Sequence, residues 1–188
     1  PDWRPMGIAM EADTTLGEQP GGLQAPHVVQ VDGVYHMYYG DWVRICYATS
    51  TDGKTFTRYR NANGEPDLFT GPYFQTRDPM LLIDGDMQYL YYCGTLREHD
   101  IGAVFCRTST DFVTWSRPYL TSFGGRAGMT NWAAECPQAV KVGGGYYLFR
   151  TQYYGPGNVS SVYHSDDPLY FGSNDDSYFV CTLPVAAP

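Results

Sequence analysis

The sequence predicts an all-β fold assembled from a repeated four-stranded unit. Composition is the first observation. The 188 residues include 21 Gly, 13 Pro and 17 Tyr, with few helix-period patterns, which favours short strands punctuated by turns. The second is a segment that occurs three times, at residues 24–33 (QAPHVVQVDG), 76–85 (TRDPMLLIDG) and 135–144 (ECPQAVKVGG). In each copy a proline opens a short apolar run that ends in a tight turn. Pro26, Pro79 and Pro137 lie 53 and 58 residues apart. The third is that the residues downstream of each proline keep matched offsets.

In the first unit residues 27–31 read as a strand, Asp32-Gly33 as a hairpin turn and residues 34–39 as the partner strand. Residues 44–50 form a third strand, and Thr51-Asp52-Gly53-Lys54 turns the chain into a fourth around Thr55-Phe56-Thr57. The second unit runs 80–83, a turn at Asp84-Gly85-Asp86, 87–92, 103–109, and then Val113-Thr114-Trp115. The third gives 138–142, a glycine turn, 146–150, 161–165 and Leu169-Tyr170-Phe171. Ser50-Thr51-Asp52 with Phe56, Ser109-Thr110-Asp111 with Trp115, and Ser165-Asp166-Asp167 with Phe171 share offsets of two and six. Twelve residues after each proline stand Tyr38, Tyr91 and Phe149. A four-stranded antiparallel unit recurring every 50–60 residues describes a β-propeller blade; a sandwich does not predict matched offsets in successive units.

Three blades do not close a ring, since propellers need about four or more. Residues 1–23 read as the end of a preceding blade. Blades are expected at about 24–70, 76–130 and 134–184, and 185–188 read as the start of a following one. The expectation is therefore the middle of a five-bladed propeller. The chain opens in mid-motif, at Pro1-Asp2-Trp3-Arg4, so its true start is expected upstream and localisation is left open.

A formal net charge of -8 argues against nucleic acid, whose affinity rests on Lys and Arg neutralising phosphates, and against an anionic membrane surface. No apolar stretch approaches the roughly 20 residues of a membrane span. A neutral polyhydroxyl partner, a carbohydrate, remains compatible. Cys46, Cys93, Cys106, Cys136 and Cys181 show no paired or metal-ligand spacing and read mainly as reduced, small, buried residues, with one disulfide in an exported protein as the alternative. His27, His36, His99 and His164 form no metal-ligand spacing either. No cofactor and no metal are predicted, and oligomeric state is left open.

In a propeller every first strand enters from one face, and the loops between second and third strands return to it. That topology collects Gln24, Arg77, Asp78, Glu135, Trp132, Asp41-Trp42, the 97–100 loop with His99, and Tyr153-Tyr154 at one rim. Proline restricts the residue before it to extended backbone, which sets Asp78 at the mouth of a strand beginning at Pro79. Two carboxylates across a pocket with aromatics beside them suit glycoside cleavage: a protonated acid serves the leaving oxygen and an ionised one stabilises the sugar cation. Glu135 is the expected proton donor, because Trp132 and the apolar strand mouth would desolvate it and raise its pKa. Asp78 is the expected fixed anion and transition-state stabiliser, kept ionised by Arg77 beside it. Arg77, Trp132, Gln24, Trp42 and His99 are the expected substrate-binding residues. Ala25 occupies the corresponding place in the first unit, where no acid stands.

Arg77-Asp78-Pro79 and Glu135-Cys136-Pro137 resemble the RDP and EC motifs of glycoside hydrolase family 32, the invertase, inulinase and levanase group. The blade pattern is similar to that of family 43, the arabinanases and β-xylosidases. The resemblance implies Asp78 as transition-state stabiliser and Glu135 as general acid/base of a hydrolase acting on furanosides of the fructan or arabinan type. It also implies a third carboxylate on the opening blade, before Pro1. Family 32 likeness implies retention and family 43 likeness inversion, with carboxyl separations of about 5–5.5 Å against about 6.5–9.5 Å. Two other readings remain open. One is a carbohydrate-binding propeller that has lost its nucleophile. The other is a sialidase-like propeller, suggested by residues 50–56 although the glycine is one place early.

Overall fold

The computed structural model describes residues 2–72, 75–96, 100–152 and 158–183. Apart from two short 3-10 turns, Thr14–Leu16 and Gly125–Ala127, every regular element among them is a strand. The first sheet holds β1 (Gln24–Val31), β2 (Val34–Gly40), β3 (Arg44–Ser50), β4 (Thr57–Arg58) and β5 (Asp67–Thr70). The second holds β6 (Arg77–Asp84), β7 (Met87–Leu96), β8 (Ile101–Ser109) and β9 (Tyr119–Phe123). The third holds β10 (Glu135–Val142), β11 (Gly145–Thr151), β12 (Ser160–Ser165) and β13 (Phe179–Leu183). Each is an antiparallel meander in chain order, with β4 and β5 both pairing with β3 in the first. The architecture is a β-propeller: β6 packs between β1 and β10, and a cavity of about 200 Å³ is lined by corresponding residues of all three first strands.

The apolar runs are continuous rather than alternating because the middle sheet is buried on both faces. Leu81, Leu90, Tyr92, Ala103 and Phe105 join Tyr38, Ile45, Tyr47 and Phe69 against the first sheet. Their sequence neighbours Met80, Tyr91, Val104 and Cys106 point the other way, into Ala139, Tyr146, Leu148, Tyr163 and Phe171 of the third unit. Period-two side-chain alternation thus feeds two cores from one set of strands. Burying a large apolar side chain in either contributes about 1.5–3 kcal/mol. Cys46, Cys93 and Cys106 are buried, Cys136 and Cys181 are exposed, and none of the five is joined in a disulfide.

The outer strands differ from the sequence expectation. Residues 113–115 and 169–171 are not strands, and the first unit's edge begins at Thr57. The Ser-x-Asp pattern instead builds a turn. Asp52 Oδ1 accepts the backbone N–H groups of Lys54 and Thr55, both at 2.8 Å. Asp111 Oδ1 accepts those of Val113 at 2.9 Å and Thr114 at 2.6 Å, and Asp167 Oδ1 accepts that of Leu169 at 2.8 Å. The aromatic six places after each serine packs beneath the turn (Phe171 is fully buried) and the outer strand starts later.

Candidate active site

The three first strands enter through one backbone device. Pairing runs Gln24 with Gly40 and then His27 with Tyr38, Arg77 with Cys93 and then Met80 with Tyr91, Glu135 with Thr151 and then Gln138 with Phe149. Two residues are thus set out of register in each strand, a β-bulge. Proline, which has no N–H to offer the ladder, takes the second bulged place. The residue before it is left-handed: Ala25 at φ 47°, Asp78 at φ 55° and Cys136 at φ 50°. The expectation of an extended residue before proline fails here, because the bulge imposes its own backbone. β6 also begins at Arg77, ahead of Pro79. Asp78 therefore corresponds to Ala25 and Cys136, whereas Glu135 corresponds to Gln24 and Arg77; the two acids are one register place apart.

That offset decides who meets whom. Arg77 Nε donates to Glu135 Oε2 at 3.2 Å and Nη2 donates to Oε1, a two-pronged ion pair between neighbouring blades. Both groups are buried, at 3% and 1% exposure. Arg77 thus pairs with Glu135, and not with Asp78 as its sequence neighbourhood suggested. Asp78 Oδ2 accepts the Cys136 backbone N–H at 3.2 Å. Arg77 Nη1 donates to the Gln75 carbonyl at 3.0 Å and to Gln75 Oε1 at 2.8 Å. The guanidinium lies 5.6 Å from the Trp42 ring centroid and 5.2 Å from that of Trp132. It is held by one carboxylate and two indole faces.

Both tryptophans reach this point by local design. Trp42 has φ 79° in the β2–β3 loop, which Asp41 closes by bonding Arg44 Nε at 2.6 Å, so Asp41 is committed to structure. Trp132 rides on the segment before β10, docked on β8 where Gly102 donates to the Thr130 carbonyl at 2.8 Å. A Cβ at Gly102 would come within 2.5 Å of the Asn131 carbonyl, so the close approach requires glycine.

Gln24, Trp42, Arg77, Asp78 and Trp132 line one cavity of about 460 Å³. These are five of the seven residues singled out from sequence. Glu135 lies behind Arg77, and His99 falls outside the described residues, as do Arg97, Glu98, Tyr153 and Tyr154. Burial pushes the Glu135 carboxyl up to about 7; Arg77 opposes the rise and Asp78 adds to it. Two neighbours carry no signal in the sequence. Gln75 is recognisable only through Arg77, and Cys93 only through its pairing with Arg77 in the ladder. Asp78, Cys93 and Glu135 place one donor atom each within 4.8 Å of one another. Arg77 already occupies both Glu135 oxygens, and burial raises the Cys93 thiol well above its ordinary pKa. The set is a poor match for a cation.

A propeller with a carboxylate pair and aromatic walls at its hub is the architecture of a carbohydrate-active protein class, and comparison with known proteins agrees. Residues 2–186 match the Glycosyl hydrolases family 32 N-terminal domain, and the chain belongs to that family. A search of curated protein sequences finds no match. Among solved structures it is similar to a thermostable family-43 glycoside hydrolase (TM-score 0.71, 19% identity, covering 89% of this chain and 59% of that one). It is similar also to an endo-arabinase from Bacteroides thetaiotaomicron (0.69, 18%, 89% and 65%). A Bombyx mori GH32 β-fructofuranosidase gives 0.58 at 17% identity, covering 82% of this chain and 36% of that one. The chain thus spans about three-fifths of the length of the first two structures.

Proposed function

We propose that this chain carries part of the active site of a glycoside hydrolase acting on furanosides of the fructan or arabinan type. The observation that supports this most is the convergence, within 4.8 Å, of Asp78, which lines the cavity, and Glu135, buried behind Arg77, although 57 residues separate them in sequence. Glu135 is the general acid/base. A carboxyl titrating near 7 holds a proton at neutral pH, as departure of an alcohol requires. Protonation also weakens its charge pairing with Arg77, which favours release of one prong so that the proton can reach the leaving oxygen. Asp78, the carboxylate lining the cavity, stabilises positive charge on the sugar ring. Arg77 positions Glu135, and Gln24, Trp42, Trp132 and His99 bind sugar hydroxyls and ring faces. The nucleophile or base comes from elsewhere in the ring. We further propose five blades for the whole propeller, with 24–70, 76–130 and 134–184 as three of them.

A second reading is a propeller that binds carbohydrate without cleaving it. It is favoured by the burial and full pairing of Glu135 and by Ala25 at the place Asp78 holds one blade on. Sucrose, inulin, arabinan and arylglycosides assayed with the unmodified protein and with Glu135→Gln separate the two. Hydrolysis that falls about 10²–10⁴-fold in the variant is the expected result. Turnover unchanged by the substitution would remove Glu135 from the chemistry. Saturable sugar binding with no turnover would favour the second reading.

A further inference from the structure

Among the described residues Arg150 is the other deeply buried arginine, and its environment is unlike that of Arg77. It lies in β11 at 1% exposure, on the strand face that sends Tyr146 and Leu148 into the core between the second and third sheets. Its Nη2 donates to the Gly124 carbonyl at 2.8 Å and to the Tyr163 hydroxyl oxygen at 2.7 Å. The guanidinium carbon sits 4.4 Å from the Tyr163 ring centroid. Nε and Nη1 are buried with no hydrogen-bond partner. Among the described residues no carboxylate lies within ion-pair distance of Arg150.

The polar groups beside it in this core are uncharged. Ser161, opposite Arg150 in the ladder, is buried and accepts from the Gln152 amide. A buried cation without a counter-charge is far costlier than a buried neutral group. A water molecule would satisfy N–H groups but leave the charge. A divalent anion would exchange one uncompensated charge for another. A single compact monovalent anion satisfies both demands, through charge-assisted bonds.

We propose that Arg150 is an anion-binding site at the contact of the second and third sheets, taking one halide-sized inorganic anion such as chloride. The anion joins the two blades beside Tyr163 and Gly124 and stabilises the folded state by mass action. The site is independent of the catalytic reading. Thermal unfolding in chloride, bromide and gluconate salts at fixed ionic strength tests it. Tm should be about 2–4 °C higher in either halide than in gluconate once the halide is several-fold above its Kd. The difference should vanish in Arg150→Gln. Crystals of the unmodified protein grown with bromide give a reading that does not depend on the variant folding: an anomalous peak within hydrogen-bond distance of Arg150 Nη1 or Nε. Equal Tm in all three salts, a halide effect that persists in the variant, or no peak beside Arg150 would overturn the proposal.

Discussion

The first-strand entrances of the first and second sheets, Gln24-Ala25-Pro26 and Arg77-Asp78-Pro79, share a backbone and differ in chemistry. Both bulge, both place a left-handed residue before proline, and both aim the preceding side chain at the same cavity. In the first sheet the aimed side chain is a neutral amide whose Nε2 has no partner, followed by a methyl group. In the second it is a guanidinium bound to Glu135 and flanked by two indoles, followed by a carboxylate. The bulge is therefore a property of the repeat, whereas the charge network is laid on two of its copies. Changing one copy should have consequences that changing the other does not.

The largest contrast is expected from removing the aimed side chains. Arg77→Met strands the buried Glu135 carboxylate and deletes both indole contacts, which should cost about 3–5 kcal/mol of unfolding free energy above the pKa of Glu135. Gln24→Met removes an amide nitrogen that already lacks a partner, so its effect should lie within about 1 kcal/mol of zero. Urea unfolding measures both. Adding Glu135→Gln to Arg77→Met should restore a large part of the loss, because no buried charge is then left alone. A loss that stays undiminished in the double variant would show that packing of the guanidinium, and not its charge, is what matters.

Smaller, but separable by pH, are the titrations. Glu135 titrates near 7 in the folded protein against an ordinary 4.5, so the folded state holds this proton more tightly than the unfolded chain. Its contribution favours the folded state fully below about pH 4.5 and is lost as pH rises through 7. Asp52 and Asp111 titrate at about 2 against an ordinary 3.8, held down by the backbone N–H groups of their turns. Their contribution is complete above pH 3.8 and is lost as pH falls toward 2. Glu135→Gln should flatten the dependence of Tm on pH in the upper window and leave the lower one intact. Activity, if Glu135 is the acid, should decline above about pH 7 in step with loss of its proton.

The repeat was legible because each copy obeys the same constraints. Proline marks the bulge, Asp-Gly or Gly-Gly marks the hairpin, and Ser-x-Asp marks the turn before the last strand. The outer strands were misplaced because Phe56, Trp115 and Phe171 look like strand residues, while the Asp carboxylate holds them in a turn by accepting backbone N–H groups. The grouping of the candidate residues is legible in the sequence, since topology alone brings Gln24, Trp42, Arg77, Asp78 and Trp132 to one cavity. Their pairing is not. Arg77 stands beside Asp78 in sequence, and only the one-place register difference between β6 and β10 delivers its guanidinium to Glu135 instead. Gln75 and Cys93 were invisible for the same reason, because each acts through a partner fixed by the ladder.

The same comparison can be taken down to the backbone itself. A left-handed conformation costs a non-glycine residue about 1–2 kcal/mol, and glycine recovers it at about 0.5–1 kcal/mol of added chain entropy. Ala25 uses its side chain for none of the hydrogen bonds at its entrance, so Ala25→Gly should be neutral or stabilising by up to about 1 kcal/mol. Asp78→Gly gains the same relief but deletes the acceptor of the Cys136 N–H, an exchange between the second and third sheets. A hydrogen bond to a charged group contributes about 1.5–3 kcal/mol, so this variant should be the less stable of the two. Equal melting temperatures for the two variants would mean that the Asp78 carboxylate contributes nothing to joining the blades, and that its value to the protein lies entirely in what it does in the cavity.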